Sequence, residues 1–169
     1  MKNTIFILFC VCLLSVVFVP RLYGFPSQVI VDANQNCSQS GCAAYSAGTH
    51  YYFEAGVYRI TPLSGAASFS GSGAPGWWIW AMQMYIVNSG QCPGIMCGPQ
   101  PSPGPWFQTA QEALNACNGE SGEIVLLTIC EPSDVYFFFL NSACADNSGV
   151  MTAQVERLLS FSPLFCLNP

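Results

Sequence analysis

The sequence predicts an all-β protein, an antiparallel β-sandwich or jelly roll with one short helix, stapled by disulfides. Three observations carry that expectation. Short runs rich in Val, Ile, Phe, Tyr and Trp recur along the chain, separated by Gly, Pro, Asn and Ser clusters that mark turns. A single segment repeats its apolar residues at helical spacing. And the chain carries ten cysteines in 169 residues, a density suited to an exported fold held together covalently.

The first element is a leader. After Met1, KNTIFILFCVCLLSVVFV brings one lysine and then an apolar run that ends at Pro20 and Arg21. Its core is short for a membrane span and nothing comparable follows, so residues 1–24 are expected to be a secretory signal peptide cut after Gly24. Residues 25–169, about 145 in all, are then expected to form one domain. Cys10 and Cys12 leave with the leader. Cys37, Cys42, Cys92, Cys97, Cys117, Cys130, Cys144 and Cys166 remain, an even number that predicts four disulfides. The close pairs Cys37/Cys42 and Cys92/Cys97 suggest local loop staples, although spacing does not determine the connectivity. Thiolate zinc sites are disfavoured, because His50 is the one histidine and neither close pair has Cys-x-x-Cys spacing.

Along the domain, Gln28 to Asp32 is a short first strand, and Cys37 to His50 a polar, stapled loop. Tyr51 to Ile60 alternates, with a turn at Glu54-Ala55-Gly56. Ser64 to Gly76 is almost all Gly, Ala and Ser, which suits a loop or a close-packed strand. Trp77 to Val87 is continuously apolar, as a buried central strand would be, with a short helix as the alternative that periodicity leaves open. Gly90 to Pro105 holds Pro93, Pro99, Pro101, Pro103 and Pro105, a density that opposes regular structure and marks a surface excursion. Trp106 to Cys117 is the helical pattern, closed by Asn118-Gly119. Glu123 to Cys130, Val135 to Leu140 and Val150 to Leu158 complete the set as three successive strands.

Charge limits the partners. The formal net charge is −5, and beyond the leader only Arg59 and Arg157 oppose nine acidic residues. Such a field repels nucleic acid and anionic lipid. No Gly-x-Ser-x-Gly elbow is present, and any imidazole chemistry would have to use His50, so a non-enzymatic protein is expected. The leading site candidate is the loop Asp146-Asn147-Ser148-Gly149 between two strands, where side-chain oxygens crowd beside a glycine free to take a positive φ. Such a loop can wrap a hard cation or meet sugar hydroxyls. The same four residues are also good turn chemistry and need mean nothing more. Trp77 and Trp106, nearest to loop-forming Gly and Pro, are the aromatics expected to be exposed, where a ring can pack on a pyranose face.

Two stretches resemble a known family. Gly56-Val57-Tyr58-Arg59-Ile60 followed by Gly65-Ala66-Ala67-Ser68-Phe69, and Phe138-Phe139-Leu140-Asn141 followed by Asp146-Asn147-Ser148-Gly149, are similar to motifs of the LecA-type calcium-dependent galactose-binding lectins. The resemblance implies a galactose-binding-like jelly roll. It also implies a calcium ion held by the Phe69 and Ala143 carbonyls with Asp146, Asn147 and Asn141, and a galactose-like saccharide touching Asp146 and Asn147. The family's aspartate after the asparagine is Ser142 here, and its histidine and glutamine contacts to galactose have no counterpart. Two functions follow as expectations. One is a secreted carbohydrate-binding domain using calcium or a calcium-less remnant of that site. The other is a secreted structural or protein-interaction domain that keeps the sandwich without the ligand and meets a protein partner through the Pro-rich excursion.

Overall fold

The computed structural model describes residues 25–97, 106–118 and 124–160. The leader, Pro99 to Pro105 and Cys166 lie outside them. The strands, in chain order, are β1 (Gln28–Asp32), β2 (Cys37–Ser38), β3 (Thr49–Phe53), β4 (Gly56–Gly65), β5 (Ala67–Ser68), β6 (Trp78–Ile86) and β7 (Gly94–Cys97). Helix α1 (Ala110–Asn118) follows, and then β8 (Val125–Ile129), β9 (Ser133–Leu140) and β10 (Val150–Ser160). They form a four-stranded sheet in the order β1-β10-β4-β8 and a six-stranded sheet in the order β2-β9-β6-β5, with β3 added on β9 and β7 on β6. All pairings are antiparallel except β2 with β9, which runs parallel (Cys37 opposite Phe139) and was not foreseen.

Alternation explains which face each strand buries. On β10, Met151, Ala153 and Val155 are buried while Thr152, Gln154 and Glu156 are not. On β4, Tyr58, Ile60 and Pro62 point inward. Pro62 has no N–H to give a ladder, and it stands at the shift where Thr152 pairs with Ser64 but Ala153 with Pro62, leaving Leu63 bulged out. From the other sheet Phe53, Met82, Met84, Ile86, Val135, Phe137 and Phe139 join the same core cluster. β6 is the central strand its apolar run predicts. That run is continuous because its second face is partly covered too: a 3₁₀ segment, Gly41–Ala47, crosses it and stacks Tyr45 on Tyr85 with centroids 4.1 Å apart.

Several expectations need correcting. The Cys37 to His50 stretch is not a plain loop: it holds β2, this 3₁₀ segment and the start of β3, where His50 is exposed and stacks on Tyr136 at 5.2 Å. The Pro-rich excursion is interrupted by β7, because Gly94-Ile95-Met96-Cys97 contains no proline and closes a hairpin on β6. There Met84 N–H donates to Pro93 O (2.8 Å) and Ile86 N–H to Gln91 O (3.0 Å). The close cysteine pairs do not bond to each other. Cys37 joins Cys144, Cys42 joins Cys92 and Cys97 joins Cys117, so the staples span loops brought together by the sheets rather than neighbours in sequence. Cys130 is also disulfide-bonded. No helix among the described residues is long and apolar enough to cross a membrane.

Toward the end of the β10–β4 ladder Arg157 closes a clasp, donating to Glu54 Oε2 (2.8 Å) and Ala55 O (2.7 Å) above the Tyr58 ring. Tyr58 is fully buried and its hydroxyl donates to Glu54 O (2.9 Å). Burial pushes the Tyr58 pKa up, Glu54 adds to the rise, and Arg157 and the hydrogen bond to Glu54 partly offset it. The folded-state pKa therefore lies above the unfolded value of about 10. The unfolded chain releases this proton first, so the contribution is complete below about pH 10 and is lost as pH rises through the folded value. Tyr58→Phe is expected to flatten the fall of melting temperature with pH in that alkaline window, as read by circular dichroism.

Candidate functional site

The site lies where three loops meet. The first joins β5 to β6. It is too poor in large side chains to pack a core, so it arches out, and Phe69 N–H donates to Trp77 O (3.1 Å) across its base. That bond sets Phe69 and Trp77 at the two ends of one Gly/Ser-rich arch. Trp78 behind them is held by its indole N–H on Gly73 O (3.2 Å).

The second loop, after β9, runs from Asn141 to Gly149. Ser68 and Ser148 exchange backbone hydrogen bonds (2.8 and 3.1 Å), and Ser148 Oγ donates to Ser70 O (2.7 Å). The loop is thereby zipped onto β5. So close an approach requires glycine at 149: φ is +94°, and a Cβ there would stand 2.3 Å from Ala66 O. Within the loop a 3₁₀ turn, Cys144–Asp146, is pinned by the Cys37–Cys144 disulfide and by Asn34 Nδ2 on the Cys144 and Ala145 carbonyls (3.1 and 3.3 Å).

The third is the lead into α1. Thr109 Oγ1 accepts from Glu112 N–H (3.2 Å) while Glu112 Oε2 accepts from the Gln108 and Thr109 N–H groups (2.9 and 3.3 Å), a reciprocal capping box. The helix therefore starts at Ala110, later than the periodicity suggested. Phe107 is left free to pair with Trp78 through two backbone bonds (3.0 and 3.2 Å), which carries Trp106 to the site. Sequence reasoning did not use this box, although Thr109-x-x-Glu112 spells it.

Together the loops enclose a shallow, open cleft of about 290 Å³ lined by Phe69, Trp77, Trp106, Asn141, Ala143 and Asp146. All six were candidates from sequence, and the fold gathers them although they span the chain from residue 69 to 146. Trp77 is 49% exposed. Phe69 packs between Trp106 (5.1 Å) and buried Phe139 (5.3 Å), so the aromatic wall is backed by the core.

Asn147 departs from its expected role as a ligand. It is only 4% exposed and does not line the cleft. Its Nδ2 donates to Ala33 O (3.0 Å) and approaches Cys37 Sγ (3.3 Å), and its Oδ1 accepts from Asn141 Nδ2. Asn141 Nδ2 also donates to Ala143 O (3.1 Å). Both N–H bonds of Asn141 thus go to oxygens that the family resemblance would give to calcium. A calcium ion takes six to eight oxygens at about 2.3 to 2.6 Å, with carboxylates prominent among them. Here Asp146 is the one carboxylate lining the cleft, an amide nitrogen sits between two of the would-be donors, and no group of three or more His, Cys, Asp and Glu side chains converges among the described residues. The donor set does not fit the ion. Asn141 stands in for it, bridging Ala143 and Asn147 through hydrogen bonds.

The cations that sequence placed in the domain are engaged elsewhere. Arg59 pairs with Glu156 (3.1 Å) and Arg157 with Glu54 (2.8 Å), all on β4, β10 and the turn before β4. In comparisons with known proteins, no family model, no curated protein and no solved structure matches this chain.

Proposed function

We propose that this chain is a secreted saccharide-binding domain whose cleft works without calcium. The observation that carries the reading is the convergence of Trp77, Trp106 and Phe69 with Asn141 and Asp146 around one open cleft. Pyranose rings have apolar C–H faces and polar rims, and exposed aromatic planes beside fixed acceptors complement both at once. The cleft is shallow and open-sided, so it suits one or two sugar units of a chain or terminus rather than a wholly enclosed small molecule. Because the Asn141 amide already bridges Ala143 and Asn147, the loop needs no ion to keep its shape. Export fits the disulfides and the leader composition.

The test is calorimetric titration of the oxidised domain with a panel of neutral and amino oligosaccharides in the presence of a chelator. Trp77→Ala is expected to weaken binding about tenfold or more, with an unchanged melting temperature, since its ring is half exposed and holds no core. Binding that appears only when calcium is restored would contradict the metal-free reading. Absence of binding to every saccharide would contradict the reading altogether.

A further inference from the structure

Resting on the saccharide reading above, we infer that the bound sugar carries a protonated amine that pairs with the Asp146 carboxylate, so that the ligand is an amino sugar with its nitrogen unacetylated. Asp146 is exposed at the cleft, and among the described residues its carboxylate has neither an ion pair nor a hydrogen bond. No arginine of the domain neutralises it, since Arg59 and Arg157 are spent on Glu156 and Glu54.

The remaining polar chemistry of the cleft points the same way. Asn141 donates both its N–H bonds inward, to Ala143 O and Asn147 Oδ1, which leaves its own carbonyl oxygen as an acceptor. The lining amide and carboxylate therefore offer acceptors, and an ammonium group supplies three donors and no acceptor. The rings of Trp77, Trp106 and Phe69 that line the cleft make it an aromatic surrounding of the kind that attracts cations. The acidic balance of the domain, two arginines against nine acidic residues, draws such a ligand toward the protein from a distance. An N-acetyl group would remove the charge and two of the donors. A neutral sugar would leave the carboxylate to water.

The probes are three oligosaccharides of equal length: a glucosamine tetramer with free amines, its fully N-acetylated counterpart and a cello-oligosaccharide. Each is titrated into the oxidised wild-type domain, Asp146→Asn and Trp77→Ala in chelator, with melting temperatures to confirm the fold. The free-amine tetramer is expected to bind about tenfold more tightly than the other two, an advantage that shrinks as salt is raised. Asp146→Asn should erase that advantage, while Trp77→Ala should weaken all three ligands. Equal affinity for the three, unchanged in Asp146→Asn but lost in Trp77→Ala, would overturn the amine pairing and leave saccharide binding standing. If none of the three binds, the amine pairing falls, and the saccharide reading is then decided by the wider panel.

Discussion

Replacing Cys37 and Cys144 together by serine is expected to lower stability by about 4 kcal/mol and to abolish ligand binding even at temperatures where the domain remains folded. The stability arm follows from chain entropy. The two residues are 107 apart, but Cys42–Cys92 and Cys97–Cys117 bypass 50 and 20 of that span, leaving roughly 40 residues of open chain to be closed. In a domain of this size the loss corresponds to a fall in melting temperature of roughly 10 to 15 °C. The binding arm is more local. Cys144 begins the 3₁₀ turn that ends at Asp146, and Cys37 lies on β2 beside β9. Without the bond the turn keeps the Asn34 contacts and its own Asn147 N–H on Cys144 O (3.2 Å) but loses its covalent anchor to β2, and Asn147 loses the sulfur beside its amide. Serine at both positions avoids a free thiol that could pair wrongly. Wild-type affinity in the folded double variant would show that the backbone zip at Ser68 and Ser148 suffices to hold the site.

A second large effect is expected at Phe139. This ring is fully buried on β9 and touches Phe69, which in turn touches Trp106. Phe139→Ala removes a whole aromatic side chain from a close-packed interior and should cost about 3 to 5 kcal/mol in denaturant unfolding. Affinity should fall as well, because Phe69 loses its support and the wall of the cleft softens. Phe139→Leu keeps most of the volume and is expected to cost well under half as much, with binding largely retained. If both variants bound as the wild type does, the cleft would not depend on the core behind it.

Much of this architecture was legible in the sequence, for a physical reason. Strands that bury one face must alternate, and MTAQVER on β10 and VYRI on β4 do so, so their inward residues can be read from the period alone. Trp77 was legible as exposed because Gly76, at a φ of +81°, lifts it out of regular structure, whereas Trp106, expected to be exposed as well, is partly buried because its ring packs on Phe69 and the core. Of the six cleft residues, Asp146, Trp77 and Trp106 were singled out by residue type and place in a loop, and Phe69, Asn141 and Ala143 by the family resemblance; their convergence is what the fold adds.

Other features depend on contacts that no local pattern records. Disulfide partners are chosen by the sheets: Cys37 meets Cys144 because β2 lies parallel to β9. Asn147 looked like a ligand by its place in the loop, yet the approach of Ala33 and Cys37 turned its amide inward. The strand Gly94–Cys97 was masked by the prolines around it, although none falls inside. The late start of α1 is different, since the Thr109/Glu112 capping box is a sequence signal in its own right.

The measurement that tests the central claim most directly is a two-dimensional NMR titration of the oxidised domain with the free-amine glucosamine tetramer in chelator, following the four indole N–H signals. Binding in the cleft without metal requires Trp77 and Trp106 to shift, together with the Asn141 side-chain amide, while fully buried Trp80 stays still. Silence of all four indoles at millimolar sugar, or shifts confined to the face carrying His50, Tyr136 and Tyr85, would contradict it.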